Sequence, residues 1–394
     1  MIDRRGMLAA VVRHAVELED DYVDVASTLE ALSASGDTAL VSPLHEALDR
    51  FLDDGNFYGR DLIARILAGI QGPAALPALL RASARDLHDD QDSLSAEIIV
   101  LLEADRATAR RTVVEFATSD TPELRHTGLW ALGFVAEAQD IELLAAAATA
   151  VDAAVRSTAI GSIPDPDGDD RAYRVILSAL DDPDQQVRAA AVSRLGFTDR
   201  TDAVAPLAAR VDDPAPQVRS MVAYALGRLC GADTIPALLH LLHDPDQHVR
   251  ERAVEALGSV GGSAAVDTLL GLAAAEDPQL RAQAAAALAK AVDSDLRVSQ
   301  HLVALAQDSE AAVRAATISG LSGSGVNASR WASLVAGLAA DPDPVVRLRV
   351  AVAARRLPLD AARDILRRYA RDPDERVRGI AGIELERLTG PNAR

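Results

Sequence analysis

Cysteine and aromatic residues are scarce in this chain of 394 residues. Cys230 is the single cysteine, so no intrachain disulfide can form and nothing points to an oxidising compartment. Aromatic residues make up only 3% of the chain although hydrophobic residues make up 49%, so the apolar content is mainly Ala, Leu and Val. This composition favours closely packed helices over sheets.

Positive charge is also in short supply, because the formal net charge is −19. Binding to phosphate backbones needs an excess of Lys and Arg, so we expect no general nucleic-acid binding. The charge is compatible with a protein partner that has a basic surface. The apolar run Met7 to Val12 ends at Arg13 and is too short for a secretory signal, and we expect no membrane span. These features together predict a cytoplasmic protein.

The dominant pattern that is present is a repeat. The stretch DPDQQVRAAAVSRLG from Asp182 returns as DPAPQVRSMVAYALG and as DPDQHVRERAVEALG, with 31 residues between corresponding positions. Such a period indicates a repeat array. Val187, Ala191 and Leu195 lie four residues apart and share one helix face. The segment IPALLHLL supplies a second helix for the same unit.

The ends of the motif have a local interpretation. We interpret its first Asp as the N-cap of a helix and the following Pro as a residue of the first turn. The closing glycines, Gly196, Gly227 and Gly258, are interpreted as left-handed residues that end the helix.

These residues, DPD..VR..A..ALG followed by G....IPALL.LL.D, resemble the HEAT repeats, in particular the short HEAT-like repeats of the phycobilisome-lyase type. The resemblance implies an all-α fold, a right-handed α-α superhelix of helical pairs. Following the motif Arg along the chain predicts about eleven pairs, and in one of them Ala96 stands in place of the Arg.

The domain organisation follows from where the motif starts and weakens. Residues 1–35 carry helical spacing without the motif and are predicted to form an N-terminal helical cap, since an array needs atypical ends to cover its core. Residues 36–394 are predicted to form one continuous array. A bend is predicted near 163–170, where one unit lacks its closing Leu-Gly.

The column of motif arginines, represented by Arg188, Arg219 and Arg250, has a structural interpretation. The resemblance implies a ladder in which each Arg pairs with an Asp of a neighbouring unit. Charge pairs at repeat junctions satisfy groups that packing partly buries.

No arrangement in the sequence predicts catalysis. The HEAT-like deoxyhypusine hydroxylases carry His-Glu pairs directly after the motif Arg, and those positions here hold other residues, so no iron site is expected. His240, His243 and His248 are predicted to be surface residues, and Asp165, Asp167 and Asp169 to form a solvated turn. We therefore predict no catalytic residue, cofactor or metal.

The second helix of each unit also predicts a recognition surface. Residues one and five positions after the motif Arg lie opposite the core side, and by resemblance they line the concave face. Large residues in these columns are predicted to contact a partner, because exposed aromatic residues often anchor interfaces. They are Trp130, Tyr224, His126, Glu251, Leu348, Val352 and Ile383. Arg363, Arg367 and Arg371 lie four apart and are predicted to form a helix stripe that suits an acidic partner.

The sequence therefore favours a non-enzymatic protein–protein interaction solenoid, an adaptor, scaffold or inhibitor that grips its partner along the concave face. The alternative is a HEAT-like enzyme or ligand binder, such as a bilin lyase or a chaperone-like protein. The identity of the partner and the oligomeric state are not encoded in any recognisable motif.

Overall fold

The computed structural model describes residues 3–17, 22–164, 166–292, 296–323 and 328–389. Within these ranges the chain is predominantly helical and contains no strand, as the sequence predicted. The chain divides into two compact units, Met1–Arg194 and Leu195–Arg394, and the division falls within one helix of the array. The predicted continuity of residues 36–394 and the bend near 163–170 stay predictions, and Asp165 lies outside the described residues.

Helices α1 (Arg4–Glu17) and α2 (Tyr22–Ser33) occupy the segment predicted to be the cap. Eleven helical pairs follow in the described part of the chain. Their first helices are α3 (Val41–Asp53), α5 (Leu76–Ser83), α7 (Arg106–Ala117), α9 (Ile141–Ala147), α11 (Asp170–Ala179), α13 (Val204–Ala208), α15 (Ile235–Leu241), α17 (Gly262–Ala273), α19 (Leu296–Leu305), α21 (Ala328–Gly337) and α23 (Leu359–Tyr369). Their second helices are α4 (Phe57–Gln71), α6 (Asp92–Ala104), α8 (Pro122–Val135), α10 (Ala153–Gly161), α12 (Gln185–Gly196), α14 (Pro216–Leu229), α16 (Gln247–Val260), α18 (Pro278–Leu288), α20 (Ala311–Gly323), α22 (Pro344–Ala354) and α24 (Glu375–Thr389).

The second helices pack side by side within each unit. In Met1–Arg194, α2 contacts α4, α4 contacts α6 and α6 contacts α8. In Leu195–Arg394 the series runs from α14 through α16, α18, α20 and α22 to α24. The apolar positions of the motif face this core, and Val187, Ala191 and Leu195 are completely buried. Burial of such side chains supplies most of the stabilisation of the array, about 1.5–3 kcal/mol for each Val or Leu.

The first Asp of the motif is not the N-cap, contrary to the interpretation from the sequence. Helix α16 begins at Gln247, and its N-cap is Asp246, whose Oδ1 accepts from the N–H groups of His248 and Val249. Asp244, two residues earlier, accepts a hydrogen bond from the Asp246 N–H at 2.8 Å. The first Asp therefore shapes the turn before the helix, and the second Asp caps it, because only the second lies one residue before the helical dihedrals begin.

The closing glycines also have a different role from the predicted one. Gly196, Gly227 and Gly258 are absent from the described residues with positive φ, so they do not supply a left-handed end. A Cβ atom on Gly227 would lie 2.7 Å from the Cβ of Ala256 on the next second helix. Glycine is needed here because adjacent second helices approach too closely for a side chain.

One helical stretch, Phe57–Ser83, is long and apolar enough to cross a membrane by length and composition, with a mean hydropathy of 1.4. The expectation that no stretch approaches a span is corrected on this point. The core helix of a globular protein passes the same test, and 56% of the apolar window is buried inside the fold. Gly72, with φ of 54°, divides the stretch into α4 and α5.

Candidate protein-binding face

The motif arginines form the junctions that hold the second helices in register. Arg219 on α14 donates from Nε and Nη2 to the two carboxylate oxygens of Asp244, at 2.6 and 2.8 Å. Its Nη1 donates back to the carbonyl oxygen of Asp213 at 2.7 Å. The same paired geometry to the next unit's Asp recurs at other junctions, namely Arg156–Asp182, Arg281–Asp308, Arg314–Asp341 and Arg347–Asp372. A bidentate guanidinium–carboxylate pair fixes orientation as well as distance.

The carboxylates of these junctions stay ionised to unusually low pH. Hydrogen bonds from the Arg347 guanidinium hold the pKa of Asp372 below its ordinary value and outweigh burial, which raises it. At Asp244 burial is the largest influence and raises the pKa, but the bonds from Arg219 and the Asp246 N–H lower it further than burial raises it. The junctions are therefore charged pairs at neutral pH.

Arg250 does not complete the ladder. Its Nη1 donates to the carbonyl oxygens of Asp244 and Pro245, at 2.8 and 3.0 Å, as in the other units. The position that holds the accepting Asp in other units is Ala275 here, and among the described residues Arg250 forms no ion pair. Arg188 makes the corresponding carbonyl bonds to Asp182 and Pro183.

Sequence reasoning missed one junction altogether. Between the third and fourth pairs, Arg110 on the first helix α7 binds the buried carboxylate of Asp140 through Nε and Nη2. The motif Arg of that pair, Arg125, instead donates to the carbonyl oxygens of Ser119 and Asp120. The signal was hidden because Arg110 lies outside the motif.

Trp130 lies half-buried on α8, where its ring meets Phe134 edge-on with the centroids 5.2 Å apart. It lines a cavity of about 260 Å³ together with His126 and with Gln91 and Ser95 of the preceding pair. His126 is exposed, and its Nδ1 lies 3.3 Å from Thr158 Oγ1. The structure thus brings Trp130 and His126 together, next to the pair that lacks its motif Arg.

Tyr224 lies half-buried on α14, in aromatic and cationic surroundings. Its ring centroid is 6.4 Å from that of Phe197, which is 53% exposed, and 5.9 Å from the Arg252 guanidinium carbon. Arg228 stacks over Phe197 at 4.1 Å. A cavity of about 440 Å³ borders Tyr224, and its charged lining comprises Arg228, Arg252, Lys290 and Glu255.

Glu251, predicted to accompany Tyr224, has other partners. Its Oε1 accepts from the side-chain amides of Gln247 and Gln279, at 2.9 and 3.0 Å. Arg252 is the residue that the helix turns toward Tyr224, and its Nη1 pairs with Glu255 at 2.8 Å. Arg252, which lay outside the predicted columns, is the residue of this helix whose guanidinium approaches the Tyr224 ring. The role of Glu251 in partner binding stays a prediction.

The C-terminal members of the predicted face differ in accessibility. Ile383 on α24 is 47% exposed. Leu348 on α22 packs against the buried cluster that includes Val350 and Val377, so part of its surface belongs to the core. Val352 is half-buried. Ile383 is consequently the most available apolar contact of this group.

The predicted arginine stripe is shorter than the sequence suggested. Arg363 and Arg367 lie on α23, but that helix ends at Tyr369, so Arg371 follows it in the next turn. Arg367 and Arg371 are exposed and Arg363 is half-buried. In the described part of the chain, no ion pair involves any of the three.

No metal centre is formed by the described residues, since no group of three or more His, Cys, Asp or Glu side chains is placed to hold an ion. His240 instead lies 2.8 Å from the exposed carboxylate of Asp212.

The stacked helical pairs joined by Arg–Asp junctions define an α-solenoid. A family model of HEAT repeats matches residues 173–257 and 235–322. The repeats within residues 173–322 therefore match the HEAT-repeat family that the motif predicted.

Solved structures of low sequence identity share the α-solenoid fold. Yeast importin-β (Kap95p) aligns with a TM-score of 0.58 at 16% identity, covering 98% of this chain and 61% of that one. Kap95p in a structure with RanGDP aligns with a TM-score of 0.55 at 18% identity and the same coverage. The chain therefore spans about three fifths of the length of these neighbours.

A complex of CpcE and CpcF of phycocyanin lyase from Nostoc sp. PCC7120 aligns with a TM-score of 0.37 at 20% identity, covering 62% of this chain and 92% of that one. A likeness at this level carries no functional argument. No curated protein is a significant match to the sequence.

Proposed function

We propose that this chain is a non-enzymatic protein-interaction scaffold whose second helices hold a partner. The observation that carries the proposal is the presence of two partly exposed aromatic pairs, Trp130–Phe134 and Phe197–Tyr224. Aromatic residues are scarce in this sequence, so their placement at the surface beside cavities is a departure from its composition. Rigid aromatic side chains supply large contact area at low entropic cost.

The proposed partner is a protein with a basic surface, since the net charge of −19 attracts one and disfavours nucleic acid. The surroundings of Tyr224 are locally cationic, so a partner that reaches them presents an acidic group there. Solved neighbours of the same fold are structures of protein complexes, Kap95p with RanGDP and Kap95 with Nup1, which supports protein binding as the class of activity. A cytoplasmic location remains part of this proposal.

Ile383 and the Arg363–Arg367 stripe are proposed as secondary contacts, and Leu348 and Val352 as their apolar support. The alternative, an enzyme or ligand binder of the bilin-lyase type, has no observation in its favour among the described residues. We therefore propose a mechanism of surface complementarity without chemistry.

The test compares binding by surface variants of the two helix sets. A partner identified by affinity capture is purified, and its affinity is measured for the wild type, Trp130→Ala and Tyr224→Ala. Leu239→Ala, which removes a partly exposed side chain from the first helix α15, is the matched control. We expect each aromatic truncation to weaken binding by about tenfold or more, and the control to leave it unchanged. A lower melting temperature with unchanged affinity would make Trp130 and Tyr224 packing residues and refute the proposal.

A further inference from the structure

The pair that lacks its motif Arg leaves space that the other pairs fill. In regular pairs the Arg side chain lies across the start of its own second helix. Arg347, for example, donates from Nη1 to the carbonyl oxygens of Asp341 and Pro342, six and five residues earlier, both at 2.9 Å. Its other nitrogen atoms reach Asp372 of the next pair at 2.8 and 2.9 Å. One guanidinium thus joins two pairs.

The corresponding position of α6 holds Ser95, one residue before the predicted Ala96, because the Ser95 N–H bonds to the N-cap carbonyl oxygen of Gln91 as that of Arg347 bonds to Asp343. The Ser95 side chain is too short to bridge two pairs as an arginine does. The residues six and five positions before it are Asp89 and Asp90, and both line the cavity of about 260 Å³ beside Trp130, as Ser95 itself does. A neighbouring cavity of about 410 Å³ shares Gln91 and His126 with it and extends to Glu123. Together they are far larger than single water sites of about 30 Å³.

The lining of this space has the chemistry that a guanidinium requires. Asp90 is exposed, and its Oδ1 accepts only the N–H of Asp92, at 3.2 Å, among the contacts of the described residues. The indole of Trp130 provides a flat face for stacking, which arginine uses better than lysine does. Asp89 already has a partner, because its two carboxylate oxygens accept hydrogen bonds from the Arg60 guanidinium at 3.1 and 2.6 Å.

We propose that the cavity between α6 and α8 takes an arginine side chain from a basic segment of a partner protein. The partner's arginine would occupy the place that the motif Arg holds in other pairs, with Asp90 as counter-ion and Trp130 as stacking surface. The proposal deepens the proposed function and depends on it for the existence of a natural partner. The site itself is testable with a synthetic ligand.

The experiment titrates a fluorescein-labelled peptide of alternating glycine and arginine against the full chain at physiological salt, using fluorescence anisotropy. Ser95→Arg supplies the missing side chain in cis at a residue that lines the cavity, so we expect it to fill the cavity and weaken binding about tenfold. Val16→Arg is the matched control, because it makes the same change of charge on α1 at a site 63% exposed and outside the cavity lining. We expect it to weaken binding by about twofold or less. A peptide with citrulline in place of arginine should bind weakly to all variants.

A second pair of variants protects the test against misfolding of Ser95→Arg. Asp90→Asn removes the lining carboxylate, whereas Asp92→Asn removes an exposed carboxylate two residues away that does not line the cavity. We expect only Asp90→Asn to weaken the peptide several-fold. If each variant and its control weaken the peptide equally, the attraction is general electrostatics. If the peptide does not bind the wild type, there is no arginine site. Either result overturns the inference.

The two proposals fail separately. A natural partner that is lost in Tyr224→Ala but binds Ser95→Arg as tightly as wild type overturns the arginine site alone. A partner that tolerates both Trp130→Ala and Tyr224→Ala overturns the proposed function, whatever the peptide does.

Discussion

Truncation of two motif arginines in adjacent pairs distinguishes the stability contribution of the ion pair from that of the other contacts at the junction. Arg219→Ala and Arg250→Ala each remove a side chain of similar exposure that donates to two carbonyl oxygens of its own unit. Only Arg219 also binds a carboxylate of the next pair. The difference between the two variants therefore measures the cross-pair interaction, with Arg250→Ala as an internal control.

The magnitude follows from the state of Asp244 after truncation. Its side chain is 4% exposed, and without Arg219 it retains one hydrogen bond, from the Asp246 N–H. A buried acceptor that loses its partner costs about 1–3 kcal/mol, and more when it is charged. The Arg219 side chain is 11% exposed, so water can replace part of the interaction and the cost remains below the upper limit for a fully buried pair. We expect about 2–3 kcal/mol for Arg219→Ala and about 1 kcal/mol for Arg250→Ala.

The assay is equilibrium unfolding in urea followed by circular dichroism, with hydrogen exchange of α14 and α16 as a local readout. The local measurement matters because repeat arrays do not always unfold as one unit. Adding Asp244→Ala to Arg219→Ala should recover part of the loss, since no stranded carboxylate remains. Equal destabilisation by Arg219→Ala and Arg250→Ala would refute the argument that the cross-pair carboxylate matters, and loss of partner binding at unchanged stability would make the column functional.

Three further predictions concern the same junctions and the helix contacts. Ala275→Asp should supply the carboxylate that Arg250 lacks and stabilise the chain by up to about 1 kcal/mol in urea unfolding; no gain in the midpoint would contradict it. Gly227→Ala should destabilise by about 1–3 kcal/mol because its Cβ has no room, whereas Gly271→Ala, with open space around it on α17, should be neutral or slightly stabilising; equal melting temperatures would count against close helix approach. Folding lowers the pKa of Asp372, so the folded chain binds a proton at this carboxylate less tightly than the unfolded chain does. The ionised Asp372 therefore contributes its full share of the free energy of unfolding above about pH 4, and this share is lost as the pH falls through the folded-state pKa. Unfolding free energies measured from pH 6 to pH 3 should accordingly fall less steeply in Asp372→Asn than in wild type, and identical slopes would contradict this assignment.

The repeat period predicted the helices and their pairing. Apolar residues three or four positions apart share one face of a helix, and that face is buried when helices pack against each other. The 31-residue spacing of the motif Arg located the second helices α12, α14 and α16. The resemblance to HEAT repeats predicted ion pairs between neighbouring units, of which Arg219–Asp244 is one.

Details that depend on the neighbouring pair were not predictable from one unit. The sequence assigned the N-cap to Asp244, whereas the structure has it at Asp246. Both residues are aspartates, so only the backbone dihedrals distinguish them. Gly227 was interpreted as a helix end because the sequence does not show that Ala256 packs against it. The gap at Ala275 was visible as a missing Asp, but its consequence for Arg250 lies in the preceding pair.

The candidate face was predicted less completely than the fold. The column positions located Trp130 and Tyr224 at the surface of the second helices, and both are half-buried with cavities beside them. Phe134 and Phe197 were missed because they lie outside the two columns. The sequence placed the missing motif Arg at Ala96, whereas Ser95 holds that position and lines the cavity. The size of the cavity depends on how far the surrounding helices close around it, which the sequence does not show.

Hydrogen exchange of the chain with and without its purified partner shows which helices the partner covers. We expect binding to slow exchange in the second helices, with the largest protection in α8 and α14, and to leave the first helices α7 and α13 unchanged. Protection confined to the first helices, or spread equally over both sets, would contradict the assignment of the second helices as the partner-binding face.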